Sequence, residues 1–215
     1  MKKLMLLCCC LVLLTSCYHT ETDYYPNGAV KSVIRYKNKK EDGLSVYYRE
    51  DGSKALEIEM KDGKKNGKLV RWFSNNVPES VAYYRNDSLE GNLTIYDRKG
   101  FPLTQIEYHD GKKEGAYFSW HARDVIREKG FFKNDLYDGE WEYYDKRGVM
   151  VGEAAFRMGE GLQTGYDAFG NLLQTTHYAH NMKNGEEIHY ASNGDTLVII
   201  QYKDDRILSI DTLKK

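Results

Sequence analysis

A cluster of glycine and lysine residues is the first feature of the sequence that could do chemistry. Residues 61–67 read KDGKKNG, and residues 109–115 read HDGKKEG. Glycine-rich loops with a lysine can cradle phosphate, but a P-loop needs four residues between its glycines and Ser or Thr after its lysine. Here three residues separate the glycines, and no Ser or Thr follows. The spacing excludes a P-loop, and the recurrence points to a repeat.

Other residues that could do chemistry are scattered along the chain. His177 and His180 are of a metal-ligand type, but their spacing puts them on opposite faces of a strand, with His180 in the following loop. The carboxylates recur with the repeat, and no Ser-His-Asp arrangement or Gly-x-Ser-x-Gly motif occurs. We therefore expect no catalytic residues, no metal, no cofactor, and a protein that is not an enzyme. Lys and Arg number 31 against 32 Asp and Glu, so nucleic acid is not an expected partner.

The N-terminus has the pattern of a targeting segment. Lys2 and Lys3 precede an apolar run of 11 residues, Leu4 to Leu14, which is too short to span a bilayer. The run ends in LTSC, which resembles the lipobox of bacterial lipoproteins. That resemblance implies cleavage before Cys17 and a lipid on its thiol. The alternative is an ordinary secretory signal with a chance cysteine. The other three cysteines lie in the removed segment, so we expect neither a disulfide nor a thiolate metal site.

Glycine recurs with a fixed period through the rest of the chain. Strand-starting glycines lie 24 residues apart except for one interval of 22: Gly43, Gly67, Gly91, Gly115, Gly139, Gly161 and Gly185. An aromatic residue follows each by five positions: Tyr48, Trp72, Tyr96, Trp120, Tyr144, Tyr166 and Tyr190. A second turn position follows each aromatic by four, and Asn76 and Asp124 replace glycine there in two units. The pattern predicts eight units of strand, turn, strand and loop.

Side-chain parity predicts how each unit folds. Val46 and Tyr48 must share a face with Leu56 and Ile58 if one apolar face is to form, so the turn needs an odd number of residues. A three-residue loop, residues 50–52 with glycine in the left-handed position, meets this need. The unit that is two residues shorter agrees, because an even deletion leaves every later side chain on its own face.

Several segments resemble a known repeat family. YYPNG (24–28), YYREDG (47–52), MKDGKKNG (60–67) and YHDGKKEG (108–115) resemble the MORN-type repeat, and more closely its bacterial variant labelled YwqK-like antitoxin. The resemblance covers about residues 24–205. It implies an all-β fold, a single elongated antiparallel meander of about eight stacked β-hairpins. It also implies binding or scaffolding without a common chemistry.

These observations divide the chain into four parts. We expect a lipoprotein signal peptide at 1–16, a lipidated linker at 17–23, the repeat domain at 24–205 and a C-terminal cap or tail at 206–215, with a final strand at Ile207–Ile210. The loops between units begin with basic residues and close with acidic or amide residues. These rows are either a charged track for a partner or local pairing that deters edge aggregation, and we favour the pairing.

One mixed face of the predicted sheet is the candidate contact surface. Leu69, Leu93, Tyr117 and Trp141 form a row there, and Tyr143 lies nearby. Tyrosine and tryptophan are typical interface anchors, so Tyr117, Trp141 and Tyr143 are the candidate partner contacts. We expect that replacing Trp141 and Tyr143 with alanine weakens partner binding and leaves the fold and the melting point unchanged. The alternative is a face that is simply covered or idle.

The resemblance to bacterial lipoproteins implies a lipid-anchored protein of the cell envelope, attached through Cys17. The absence of aspartate at position 18 resembles the sorting pattern for the outer membrane of a Gram-negative cell. The expected partner is a protein or an envelope polymer. The alternative function is that of an antitoxin or immunity protein that neutralises a toxin. The sequence leaves open the ligand, the oligomeric state and whether the protein faces the periplasm or the cell surface.

Overall fold

The computed structural model describes residues 17–213, and none of these residues is helical. The predicted signal peptide, residues 1–16, and the last two lysines lie outside this range. The strands are β1 Tyr18–Tyr24, β2 Val30–Lys37, β3 Lys40–Glu41, β4 Gly43–Tyr48, β5 Lys54–Lys61, β6 Lys64–Trp72, β7 Pro78–Arg85, β8 Ser88–Leu89, β9 Gly91–Tyr96, β10 Pro102–His109, β11 Lys112–Ala122, β12 Val125–Lys133, β13 Leu136–Tyr144, β14 Met150–Arg157, β15 Glu160–Tyr166, β16 Leu172–Ala179, β17 Met182–Tyr190, β18 Thr196–Lys203 and β19 Arg206–Thr212.

The strands form one antiparallel sheet in which chain neighbours are also sheet neighbours. The short strands β3 and β8 share a partner with the longer strands that follow them, β4 and β9. The structure therefore confirms the predicted all-β meander of stacked hairpins.

The turn inside seven of the eight units is the predicted three-residue loop. In the second unit the Arg49 amide donates to the Ser53 carbonyl oxygen (2.8 Å) and the Gly52 amide to the Arg49 carbonyl oxygen (2.9 Å). Gly52 has φ +79°, and Asn76, which replaces glycine in the next unit, has φ +59°. One expected substitution is wrong: after β11 the left-handed residue is Arg123 rather than Asp124. That hairpin is shorter because Ala122 pairs directly with Val125.

The glycine-lysine cluster contains the turn between units. At Asp62-Gly63 both central residues have positive φ, +51° and +81°, as in a type I′ hairpin turn. All eight turns between units have this backbone, including Asn38-Lys39 and Asn134-Asp135, where no glycine is present. The cluster is a hairpin connection, and its recurrence follows from the repeat.

The strand-starting glycines lie in bulges just after these turns. Ile58 pairs with Leu69 but Met60 pairs with Lys65, so β6 carries two extra residues between these pairs. Gly67, in this bulge, has φ +126°. The shortened unit lacks the bulge, because β14 and β15 pair without a register shift. Its two-residue deletion therefore preserves the faces of all later strands, as predicted.

A second bulge changes which side chains share a face, so the faces differ from those predicted. The register shifts by one residue between Tyr47, opposite Leu56, and Tyr48, opposite Lys54. Ile58 therefore shares a face with Ser45 and Tyr47, rather than with Val46 and Tyr48 as predicted. Most buried side chains lie on this face, which also carries nine of the 18 tyrosines. We call it the tyrosine face, and its tyrosines are Tyr36, Tyr47, Tyr84, Tyr108, Tyr117, Tyr137, Tyr143, Tyr178 and Tyr202.

The two ends of the sheet are fully exposed strands. The expected linker at 17–23 instead contributes Tyr18–Asp23 to β1, which pairs with β2 along its length. All of its side chains are exposed. Its sequence therefore lacks the alternation of apolar and polar residues that predicts a half-buried strand. The expected final strand at Ile207–Ile210 lies within β19, which pairs with β18.

Candidate functional site: an aromatic cavity on the tyrosine face

The structure brings the three predicted contact residues to one face of the sheet. Tyr117 projects from β11, and Trp141 and Tyr143 project from β13, with the rings of Tyr117 and Trp141 5.3 Å apart. Trp141 is only 2% exposed and belongs to the core. Replacing Trp141 is therefore expected to lower stability, contrary to the expectation from sequence.

A glycine explains why a tryptophan is buried on a single sheet. Gly130 lies beside Trp141, and a Cβ atom at Gly130 would lie 2.1 Å from Trp141 Cδ2. The indole ring therefore packs on bare backbone. Its Nε1 donates to the Phe131 carbonyl oxygen at 3.2 Å, and Ala154, opposite it on β14, leaves room on the other side.

Aromatic rings surround the indole. The rings of Phe132 and Tyr137 lie 5.3 Å and 4.7 Å from Trp141 in edge-to-face arrangements, and Phe156 lies 6.3 Å away. Such pairs contribute about 0.5–1.5 kcal/mol beyond their buried area. The cluster is therefore a rigid platform as well as a core.

An open cavity of about 220 Å³ lies against this platform. Its lining includes Trp141 and Phe132, which are buried, and Tyr117 and Tyr137, which are half-buried. Thr104 and Ile106 of β10, with Lys113 and Glu128, complete the lining. Its volume is below the roughly 300–1,000 Å³ of sites for drug-sized ligands. The cavity suits one ring or one side chain of a larger partner.

A hydrogen-bond network holds the carboxylate of the cavity. Glu128 Oε1 accepts from the Tyr117 hydroxyl (2.9 Å) and the Ser119 hydroxyl (3.0 Å). The Arg127 guanidinium forms an ion pair with the same oxygen at 2.9 Å. The charge of Glu128 is therefore neutralised within the chain.

The cavity also contains the ammonium group of Lys113, which lies over an aromatic ring. Lys113 Nζ lies 4.8 Å from the centre of the Phe132 ring, an arrangement in which the ring attracts the cation. Among residues 17–213, no carboxylate forms an ion pair with it. Hydrogen bonds with Asp135 fix the backbone of Lys113 at both its amide (2.8 Å) and its carbonyl oxygen (3.0 Å).

The tyrosines around the cavity stay protonated at neutral pH. Burial raises the pKa of Tyr117, and the nearby Glu128 carboxylate raises it further. Burial also raises the pKa values of Tyr137, Tyr143 and Tyr178. Their hydroxyl groups therefore remain donors as well as acceptors.

The acidic residues that close the loops between units accept hydrogen bonds from backbone amides. Asp42, Glu90 and Glu114 each accept from the amide of a residue 20 positions later, in the next turn between units, at 3.3, 3.0 and 2.8 Å. Asp138 does the same for Met158 at 3.0 Å. These bonds link successive turns through the backbone, and Glu90 also forms ion pairs with Arg85 (2.6 Å) and His109 (3.1 Å) of the basic row.

The other predicted positions lie away from the cavity. His177 is an exposed residue of β16 on the opposite face, and His180 lies in the next turn with φ +53°. Within residues 17–213, no three His, Cys, Asp or Glu side chains are grouped to hold a metal ion. The Cys17 thiol is exposed next to β1. None of the described residues forms a helix long and apolar enough to cross a bilayer.

Sequence reasoning missed Gly130, Glu128 and Lys113. Gly130 had a detectable signal, because it is a glycine outside the turn and bulge positions of the repeat. Glu128 and Lys113 had none, since charged residues are common throughout the chain and only the register brings these two to the aromatic cluster.

The comparisons with known proteins agree with this architecture. A family model described as a MORN repeat variant matches residues 20–38 and 159–180. Both segments contain one whole turn inside a unit, and their turn glycines, Gly28 and Gly170, occupy the same position in their units. No curated protein matches the chain significantly. The two matched segments are similar to a MORN repeat variant, and the same hairpin is repeated between them.

Proposed function

We propose that the protein is a non-catalytic binding or scaffolding protein that holds a protein or an envelope polymer on its tyrosine face. The observation that carries this proposal is the series of nine tyrosines on one side of one continuous sheet. Tyrosine supplies large, rigid contact area with few rotatable bonds, together with a hydroxyl group for hydrogen bonds. With strands ~4.8 Å apart, the series extends over tens of ångströms, which suits an extended partner.

This function is tested by cross-linking an envelope fraction chemically and measuring how much partner is captured with the protein. The double variant Tyr117→Leu with Tyr143→Leu changes the tyrosine face. The control, Tyr83→Leu with Phe131→Leu, changes two side chains of the opposite face that are 43% and 54% exposed. We expect capture to be lost only with the first variant, with cooperative unfolding retained in both. Equal capture by the two variants would remove the tyrosine face as the binding surface.

We also propose that the protein is anchored in the envelope, on the outer membrane of a Gram-negative cell, through lipid on Cys17. The support is the short apolar run ending in LTSC and the exposure of the Cys17 thiol. Cys17→Ser should abolish labelling by a radioactive fatty acid and release the chain from the membrane fraction. The same labelling and extraction in this variant as in wild type would refute the anchor.

The second candidate is an antitoxin or immunity function, which rests on the resemblance of DGK-containing segments such as YHDGKKEG to the YwqK-like variant. An exported lipoprotein cannot guard the cytosol, so it would have to intercept its toxin in the envelope. This function predicts a toxin gene beside the gene for this chain and rescue of toxin-treated cells by its expression. Unchanged killing in the presence of the protein would exclude it.

A further inference from the structure

The aromatic cavity has a counterpart two units upstream that serves as an internal comparison. Shifting each position back by 48 residues places Lys65 over the Tyr84 ring at 4.8 Å, the same distance as Lys113 over Phe132. Asp87 holds the Lys65 amide at 2.8 Å, as Asp135 holds that of Lys113. The lysine on its ring is therefore a shared part of the repeat.

The side chains around that lysine differ between the two places. The upstream unit has Leu69, Leu89 and Leu93, with Ser80 at the carboxylate position. The corresponding cavity residues are Tyr117, Tyr137, Trp141 and Glu128. Leucine is sufficient for packing at these positions, since Leu69 is itself buried. The cavity adds flat rings, hydroxyl groups and a carboxylate, which packing does not require.

We propose that this cavity binds one ring of an acidic saccharide, a uronic-acid unit of an envelope polymer; this rests on the proposed binding function. The C–H groups on one side of a pyranose pack against aromatic rings, here the sides of Tyr117 and Tyr137. Its hydroxyl groups meet Glu128 and the tyrosine hydroxyls. Its carboxylate pairs with Lys113, the ammonium that has no ion pair within the described chain.

Charge and size favour this ligand over others. Arg127 already forms an ion pair with Glu128, so Lys113 is the charged group of the lining that is left to pair with a ligand, and an anionic ligand is favoured over a cationic one. The volume of about 220 Å³ fits one ring. An acidic side chain of a protein shares the charge, but it lacks the ring hydroxyls that the tyrosines and Glu128 would bind.

Isothermal titration calorimetry of the purified full chain tests the assignment. The probes are trimers of galacturonic, mannuronic and guluronic acid, with trimers of galactose and mannose as neutral controls. We expect an acidic trimer to bind, and Lys113→Ala to weaken it about tenfold or more, as for loss of a charged hydrogen bond. Lys65→Ala, the matched change upstream, should leave the affinity unchanged. Tyr137→Leu, which copies Leu89, should also weaken binding of the acidic trimer, because it removes an aromatic ring and a hydroxyl group from the lining.

Two outcomes would overturn the proposal. One is an acidic trimer that binds Lys113→Ala and Lys65→Ala with equal affinity. The other is binding of no acidic trimer by wild type. If the Tyr117→Leu, Tyr143→Leu variant still loses its captured partner in that second case, the ligand class is wrong and the binding function stands. If that variant also captures normally, both fail.

Discussion

At the scale of single residues, Gly130 is the position on which the aromatic cluster depends. Gly130→Ala would place a methyl group 2.1 Å from Trp141 Cδ2, and overpacking of this kind costs about 1–3 kcal/mol. Gly165→Ala is the matched control, because that glycine lies on the same face and its added Cβ would meet Gln174 at an ordinary 3.7 Å. Urea unfolding should show a loss only for Gly130→Ala, and equal stabilities of the two variants would contradict the packing.

Glu187 gives the fold a predictable response to acid. It is 4% exposed and occupies the place in its unit that Trp141 has two units upstream. Burial raises its pKa, but hydrogen bonds and charges from Lys183 and His189 outweigh burial, so its pKa lies below the ordinary 4.5. Because the folded pKa is the lower one, this carboxylate stabilises the fold above the unfolded pKa. The contribution is lost as the pH falls through the folded pKa.

We therefore expect wild type to lose stability on acidification from about pH 6 to about pH 3, with Glu187 supplying part of the loss. Glu187→Gln should be less stable than wild type at pH 7 and should lose less on acidification. Glu186→Gln, a change at the exposed neighbour on the opposite face, is the control. Melting temperatures across this pH range measure the effect. A Glu187→Gln curve parallel to wild type would show that the carboxylate contributes nothing.

At the scale of the elements, the unit can be removed only as a whole. Deleting residues 44–67, a full 24-residue period, joins Gly43 to Lys68 and leaves every later side chain on its own face. Deleting residues 44–66 moves each later side chain to the other face. The first deletion should give a shorter protein with cooperative thermal unfolding, and the second should not. Equal melting curves would refute the register argument.

The elements also show how far sequence reasoning reached. The 24-residue period and the loop at residues 50–52 were predictable, because turn glycines and alternating apolar residues leave direct traces. The faces were not, because the one-residue shift between Tyr47 and Tyr48 reverses the parity that a simple hairpin would have. A bulge formed by an ordinary residue such as Ala55 has no signature of its own.

The candidate site was only partly predictable for the same reason. Sequence reasoning grouped Tyr117, Trp141 and Tyr143 correctly on one face, since their spacing follows the repeat. It assigned Trp141 to the surface, because the packing of the indole ring on Gly130 depends on the pairing of β12 with β13. Residue type alone does not distinguish a buried anchor from an exposed one.

At the scale of the whole molecule, the turns and the strand pairing connect the units, while the side chains of the tyrosine face vary. Hydrogen bonds between successive turns, such as those of Glu90 and Glu114, link each unit to the next. The backbone pairing is continuous from β1 to β19. Stability in such an array accumulates from neighbour to neighbour. Side chains on the tyrosine face can therefore differ from unit to unit, from leucine to aromatic to charged, without changing the fold.

The central claim, that the tyrosine face binds the partner, is tested most directly by site-specific photo-cross-linking in intact cells. A benzophenone amino acid replaces Tyr143, on the tyrosine face outside the lining of the cavity, or Phe131, on the opposite face and 54% exposed. We predict that irradiation yields a covalent adduct of higher mass from position 143 and none from position 131. Adducts from position 131 alone, or from neither position, would contradict the account.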